Sequence, residues 1–373
     1  MISRCRRWAW ALFLILLCPF SWAADGDYRQ VTGPCALRFP EDHADHPDFR
    51  TEWWYYTGHL KTDDGAHFGF QLTFFRYRIA PPAEEETWPV TSSAWRSDQV
   101  YLAHAAITDV ASGRHLYAEQ SARAALDLAG VSLSGDTVTI AVNDWTVRIE
   151  PALQRLAASS DEFAFELELA PLKPPIPHGV NGYSRKGDEP AQASCYYSFT
   201  RLVARGHLAV GGRHLKVSGQ AWMDHEFSTA PLAKGLVGWD WFSLQLDDQR
   251  ELMLFVLRHS DGTWHPASSG TLILADGTTR HLTRDEIDVE VTRRWRSPHS
   301  QAEYPVGWRL QAGDETLEIQ PLLDDQEMRT GASTGITYWE GAVKIAAPDK
   351  GKPLKGLGYV ELTGYADAFD APM

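Results

Sequence analysis

The stretch from Val217 to Ser228 restricts the fold more than any other part of the chain. It reads Val-Ser-Gly-Gln-Ala-Trp-Met-Asp-His-Glu-Phe-Ser and sets Asp224, His225 and Glu226 side by side inside an apolar, aromatic run. Such a run reads as a buried strand, and desolvating three consecutive polar side chains is costly unless each has a partner or a task. Successive side chains on a strand point to opposite faces. Trp222, Asp224 and Glu226 therefore share one face, and Ala221, Met223, His225 and Phe227 the other. A carboxyl group sits beside an indole on one wall. A second aromatic strand, Gly238-Trp-Asp-Trp-Phe-Ser-Leu-Gln-Leu246, follows closely.

Similar segments recur along the chain. Arg50-Thr-Glu-Trp-Trp-Tyr-Tyr-Thr-Gly58 carries four consecutive aromatics, which put rings on both faces of a strand. In Phe163-Ala-Phe-Glu-Leu-Glu-Leu169 apolar and other residues alternate strictly. With 15 Trp, 15 Phe and 13 Tyr the chain is rich in residues that favour strands and line apolar cavities. Long helical patterns are nearly absent, and only residues 118–128 read as a short helix. The class is all-β, of sandwich or barrel character. A weak repeat runs through it. Trp53-x-Tyr55 matches Trp239-x-Trp241, Tyr197 onward matches Tyr338 onward, and Trp222-Met-Asp224 matches Tyr359-Val-Glu361, in the same order. The joint falls near Ala233-Lys-Gly235, giving an N-terminal unit over 24–234 and a C-terminal unit over 235–373.

Residues 1–23 read as a secretory signal. Arg4, Arg6 and Arg7 form its basic start, Trp8 to Leu17 its apolar run, and Ser21-Trp22-Ala23 a cleavage site. The mature chain is then expected in the periplasm or outside the cell. Cys35 and Cys195 remain in it, and an oxidising compartment permits a disulfide between them. A net charge of -14 with no basic run argues against nucleic-acid partners. Residues 25–50 read as a loop laid over the fold. Residues 171–193, rich in Pro and Gly, read as a long loop of the kind that covers functional sites.

No G-x-S-x-G elbow, H-E-x-x-H pair, P-loop or G-x-G-x-x-G is present. These absences argue against a serine hydrolase, a zincin and a nucleotide enzyme. His43, His46 and the Asp224-His225-Glu226 run offer metal ligands, but His225 points away from its two neighbours and the two loop histidines read as solvated. No metal is expected. Asp224 is the stronger candidate. Desolvation in an aromatic cavity favours the neutral carboxyl, which can give a proton to a substrate, and ring faces stabilise the cation that forms. The alternative is a structural carboxylate held by backbone amides or Arg201. Glu52, Asp240, Glu340 and Glu361 carry the same ambiguity, with Arg50, Arg76, Arg201 and Arg258 as available partners.

Five segments together resemble a known family. They are His46-Pro-Asp-Phe-Arg-Thr-Glu-Trp-Trp-Tyr-Tyr-Thr-Gly58, Trp222-Met-Asp-His-Glu-Phe-Ser228, Gly238-Trp-Asp-Trp241, Thr337-Tyr-Trp-Glu-Gly341 and Gly358-Tyr-Val-Glu-Leu-Thr-Gly364. The chain resembles the secreted AttH-like proteins grouped with carotenoid 1,2-hydratase (hydroxyneurosporene synthase). The resemblance implies two tandem lipocalin-like antiparallel β-barrels. It also implies, in some members, chemistry on apolar isoprenoid-like molecules, with the aspartate matching Asp224 as proton donor. A working hydratase is expected to hold a polar partner such as histidine near that acid, where this chain has Cys195-Tyr196-Tyr197.

The expected function is binding of an elongated apolar molecule and lyase-type hydration, isomerisation or cyclisation at a carbon–carbon double bond. Asp224 is the expected acid. Trp222, Tyr197, Trp239, Trp241, Trp54, Tyr56, Tyr338, Trp339 and His225 are the expected substrate-binding residues, and no metal or organic cofactor is required. The second reading is a non-catalytic carrier of lipid or another hydrophobic molecule that serves an envelope ABC transporter.

Overall fold

The computed structural model describes residues 28–369, except 86, 90–92, 231 and 348–353. The expected signal, residues 1–23, lies outside the described residues. Strands dominate. Those between Thr51 and Ser228 form one curled sheet, and those between Leu236 and Leu362 form a second. The central pairings are antiparallel in both. The chain passes from one sheet to the other between Ser228 and Leu236. Each sheet curls into a barrel or half-barrel. In the first, the strands Gln99–Asp109 and Ala129–Ser134 approach across the curl.

Period-two alternation builds three apolar layers rather than two. Trp54, Tyr56, Phe68, Phe70 and Leu72 face the interior of the first sheet. Phe242, Leu244, Trp308, Trp339 and Val360 fill the second. Alternate residues on the same strands, among them Tyr55, Trp222, Trp241, Phe255 and Tyr359, form a third cluster where the sheets meet back to back. Strands buried on both faces explain the consecutive aromatics of Trp53 to Tyr56.

One expected element is overturned. Residues 118–128 do not form a helix: Arg114–Arg123 is a strand paired along its whole length with Gln99–Asp109. Ladder bonding outweighs the modest helix preference of this Ala-containing stretch. Beyond it, Leu126 and Asp127 have φ of 53° and 59°, which no right-handed helix accommodates.

The N-terminal segment straps the first sheet. Cys35 and Cys195 form a disulfide, and the Trp54 indole donates to the His43 carbonyl at 3.0 Å. The loop after Phe163–Pro171 also packs down. Its short strands Ile176–Pro177 and Tyr183–Arg185 both pair with Ala193–Val210.

Polar ties lock the two sheets together. Arg201, from the first, donates through Nε to Glu251 of the second, and Lys173 of the cover loop reaches the other Glu251 oxygen at 2.7 Å. Glu251 is fully buried and Arg201 is 2% exposed. Removing one member of such a group strands a buried charge. Glu251→Gln should therefore lower unfolding free energy by about 3 kcal/mol, measured by urea denaturation. A change within experimental error would show that this tie does not hold the sheets.

Candidate active site

The strand Arg213–Ser228 lies between Thr51–Lys61 and Ala193–Val210. In that register Tyr55 and Ser198 sit directly beside Asp224. All three side chains share a pleat face and point to the gap between the sheets, where a cavity of about 140 Å³ opens. The second sheet supplies the far wall with Trp239, Trp241, Tyr338, Glu340 and Glu361. At about 30 Å³ for each water, that volume corresponds to roughly five waters, enough for part of an elongated ligand.

Asp224 is 3% exposed and no cation pairs with it among the described residues. It accepts three hydrogen bonds: from the Trp222 indole at 2.7 Å, the Tyr196 hydroxyl at 2.9 Å and the Ser198 hydroxyl. Burial pushes its carboxyl up to about 7, although those donors pull the other way. The donors themselves are held. The Trp241 indole, from the opposite sheet, donates to Tyr196 Oη at 3.0 Å. His178 Nε2 lies 2.7 Å from Ser198 Oγ, and its Nδ1 lies 2.9 Å from Thr271 Oγ1 of the second sheet. Burial drives His178 down to about 3, so it is neutral. Since Ser198 gives its proton to Asp224, the His178 proton sits on Nε2 and Thr271 donates to Nδ1. A histidine thus reaches the acid through a serine, and it comes from the cover loop rather than from the strand beside Cys195.

Arginines resolve the other carboxyl groups. Glu52 pairs with Arg76 at 2.8 Å and Asp240 with Arg258 at 2.7 Å, so both belong to structural ion pairs. Arg201 pairs with Glu251, not with Asp224. Glu340 and Glu361 have no arginine or lysine partner among the described residues. They face each other across neighbouring strands. Burial, and next the Glu361 charge, hold Glu340 well above the usual carboxyl range. Burial likewise pushes Glu361 up to about 7; the Trp239 indole, 2.8 Å away, pulls it down, and Asp224 and Glu226 push it up further.

Of the expected site residues, Asp224, Trp239, Trp241 and Tyr338 line the cavity, and Trp222 contacts Asp224. Five others point elsewhere. Trp54, Tyr56 and Tyr197 belong to the first-sheet interior and Trp339 to that of the second. His225, on the opposite pleat face from Asp224, is fully buried with Nε2 2.7 Å from Glu52. The alternation that aims Asp224 at the gap forces its neighbour inward. Tyr55, Tyr196, Ser198 and His178 were missed. Strand parity counted from Asp224 would have identified Tyr196 and Ser198 once the pairing register was known; His178 left no sequence signal.

His46, Glu52 and His225 bring potential metal-ligand atoms within 4.8 Å of one another. Those atoms are already committed. Glu52 Oε1 meets His46 Nδ1 and His225 Nε2, while Oε2 accepts from Arg76 Nε and the His46 amide. A nitrogen donating to a carboxylate has no lone pair for a cation, and Arg76 adds positive charge beside it. The chemistry is that of a hydrogen-bond chain, extended through Tyr197 to His43. Neither loop histidine is solvated as expected. Burial drives His43 down to about 3. Burial would also lower His46, but the Glu52 and Asp42 carboxylates push it up to about 9.

A sequence model of the AttH-like family matches residues 30–365. An AttH protein from Nitrosomonas europaea, solved as a crystal structure, is 38% identical, with TM-score 0.80 over 90% of this chain and 99% of its own. Kievitone hydratase from Nectria haematococca superposes with TM-score 0.68 at 14% identity, over 91% of this chain and 96% of its own. CghA gives 0.54 at 13% identity, over 85% and 89%. These last two are likenesses of fold. No curated protein sequence matches the chain.

The raised Asp224 pKa has a consequence for stability. The folded chain keeps this proton up to about pH 7, whereas an unfolded aspartate loses it near pH ~4. The stabilising contribution is therefore complete below the unfolded pKa and is lost as pH rises through the folded one. Asp224→Asn should gain stability relative to wild type between about pH 4 and pH 8, followed by urea denaturation across that range. A difference that stays constant with pH would mean that Asp224 is ionised in the fold.

Proposed function

The chain belongs to the AttH-like family, and from that premise we propose that it binds an apolar molecule between its two sheets and protonates a carbon–carbon double bond there. The single observation that carries the reading is Asp224: a buried carboxyl without a cation, pushed up to about 7, at the wall of an aromatic cavity. A group with that pKa is protonated often enough to act as an acid and leaves a tolerable conjugate base.

The steps follow from the contacts. Asp224 gives its proton to one alkene carbon, and positive charge develops on the other. Tyr196, Ser198 and Trp222 stabilise the carboxylate left behind. The faces of Trp239, Trp241 and Tyr55 stabilise the cation by about 0.5–2 kcal/mol for each well-placed ring. Glu361, on the opposite wall, is suited to take a proton as its pKa is also about 7. Water capture with proton loss completes a hydration; loss of a neighbouring proton completes an isomerisation; attack by a second double bond closes a ring and moves the positive charge to a new carbon, and proton loss from beside that carbon, or water capture there with proton loss, completes a cyclisation. None of these steps requires a metal or an organic cofactor.

Location belongs to the same proposal. The basic, apolar N-terminus and the Cys35–Cys195 disulfide favour the periplasm or the cell exterior. The second reading, a carrier that delivers a hydrophobic molecule to an envelope transporter, uses the same cavity without chemistry.

Organic extraction of the purified protein, followed by mass spectrometry, identifies the molecule to assay. An unsaturated ligand accompanied by its hydrated, isomerised or cyclised partner is expected. With that substrate, Asp224→Asn should reduce kcat by at least about a hundredfold with ligand affinity nearly unchanged. The wild-type rate should fall as pH rises past 7, because the acid form is lost. Equal turnover by Asp224→Asn would remove Asp224 as the acid, and a ligand with no related product would leave the carrier reading.

A further inference from the structure

Among the described residues, most buried carboxyl groups are either paired with a cation or ringed by donors. Glu52, Asp240 and Glu251 are each paired with an arginine, and Glu226 with Lys186 at 3.0 Å. Asp224 and Glu327 are instead surrounded by three donors each. Glu340 has neither arrangement. It is fully buried, its Oε1 accepts only from the Tyr55 hydroxyl at 2.5 Å, and its Oε2 has no partner while it lines the cavity. Directly across the ladder stands a second acid, Glu361, an arrangement that repulsion makes unfavourable.

The opposite end of the cavity shows what such a place accepts. There the Lys186 ammonium lies 3.9 Å from the Phe255 ring centroid and 5.2 Å from that of Tyr196, with Glu226 as its counter-ion. Aromatic faces and a carboxylate together hold a cation out of bulk water. Around Glu340 the same components are present: Tyr55, Tyr338, Trp239 and Trp241 line the wall, and Glu361 stands alongside.

We propose that the Glu340 end of the cavity is a binding site for a protonated amine carried on an apolar body, with Glu340 Oε2 accepting from the ammonium and Glu361 as the second carboxyl group. The inference rests on this cavity being the ligand site, but not on Asp224 acting as an acid. An ammonium supplies donors to the orphaned oxygen and offsets the repulsion between the paired acids. A neutral hydroxyl supplies one donor and no charge.

Isothermal titration of the full chain with phenethylamine and with phenethyl alcohol, at about pH 8 where the amine is charged, separates these cases. The amine should bind about tenfold more tightly than the alcohol. Glu340→Gln should remove that preference while alcohol affinity stays within about twofold. Alcohol binding as tight as amine binding, or a preference unchanged in Glu340→Gln, would overturn the amine site and leave the apolar cavity standing. Failure of both probes to bind would overturn both. The wild-type comparison decides by itself if Glu340→Gln does not fold.

Discussion

Everything in this molecule depends on strands that are buried on both faces. A strand covered on one side can send its polar residues to water. The part of the strand that carries Asp224, from Ala221 to Ser228, has no such outlet: one face looks into a barrel and the other at a second sheet. Each polar side chain on it must find a partner inside the protein. His225 does so in the barrel, joined to Glu52 and Tyr197. Asp224 does so in the gap with Trp222, Tyr196 and Ser198. The same strand thus separates two polar networks, one in the barrel and one at the cavity, by the thickness of its backbone.

The identity of partners divides the acids by role. An arginine beside a carboxylate fixes its charge and makes it part of the scaffold, as with Glu52 and Asp240. Neutral donors leave the charge free to come and go. Asp224 keeps a pKa near neutrality because three neutral donors only partly offset the loss of water. His178 holds one of those donors in place and is itself fixed by Thr271 of the other sheet. The tuning of the acid therefore requires both sheets in position.

Much of this was legible in the sequence, within a definite limit. Alternation around Asp224 predicted which neighbours share its face, and the aromatic strands gave the all-β class. The limit was pairing register, which depends on contacts far apart in the chain. A slip of one residue exchanges the two faces of a strand. Matching Tyr197 to Tyr338 in the repeat made that slip. Ser198 stands opposite Asp224 and Glu340 opposite Glu361, so the residue equivalent to Tyr338 is Tyr196. The same uncertainty put Trp54 and Tyr56 in the site in place of Trp53 and Tyr55. His178 lay beyond any reading of pattern, because its place comes from a loop folded onto the sheet. Glu340 and Glu361 became distinct from Glu52 only when the positions of the arginines were known.

The corrected register also shows that the cavity walls are related to each other. Tyr55, Asp224 and Ser198 occupy one wall at the positions that Trp241, Glu361 and Glu340 occupy on the other. Two identical subunits meeting back to back would be forced by their dyad to present the same residues twice. Covalent linkage of the two copies in a single chain lifts that constraint. Each wall is free to specialise, so one acid can gather neutral donors while its counterpart faces a second carboxyl group. Asymmetry of this kind, unavailable to a symmetric homodimer, gives the two walls buried acids with different partners, Asp224 with Tyr196, Ser198 and Trp222 and Glu361 with Trp239.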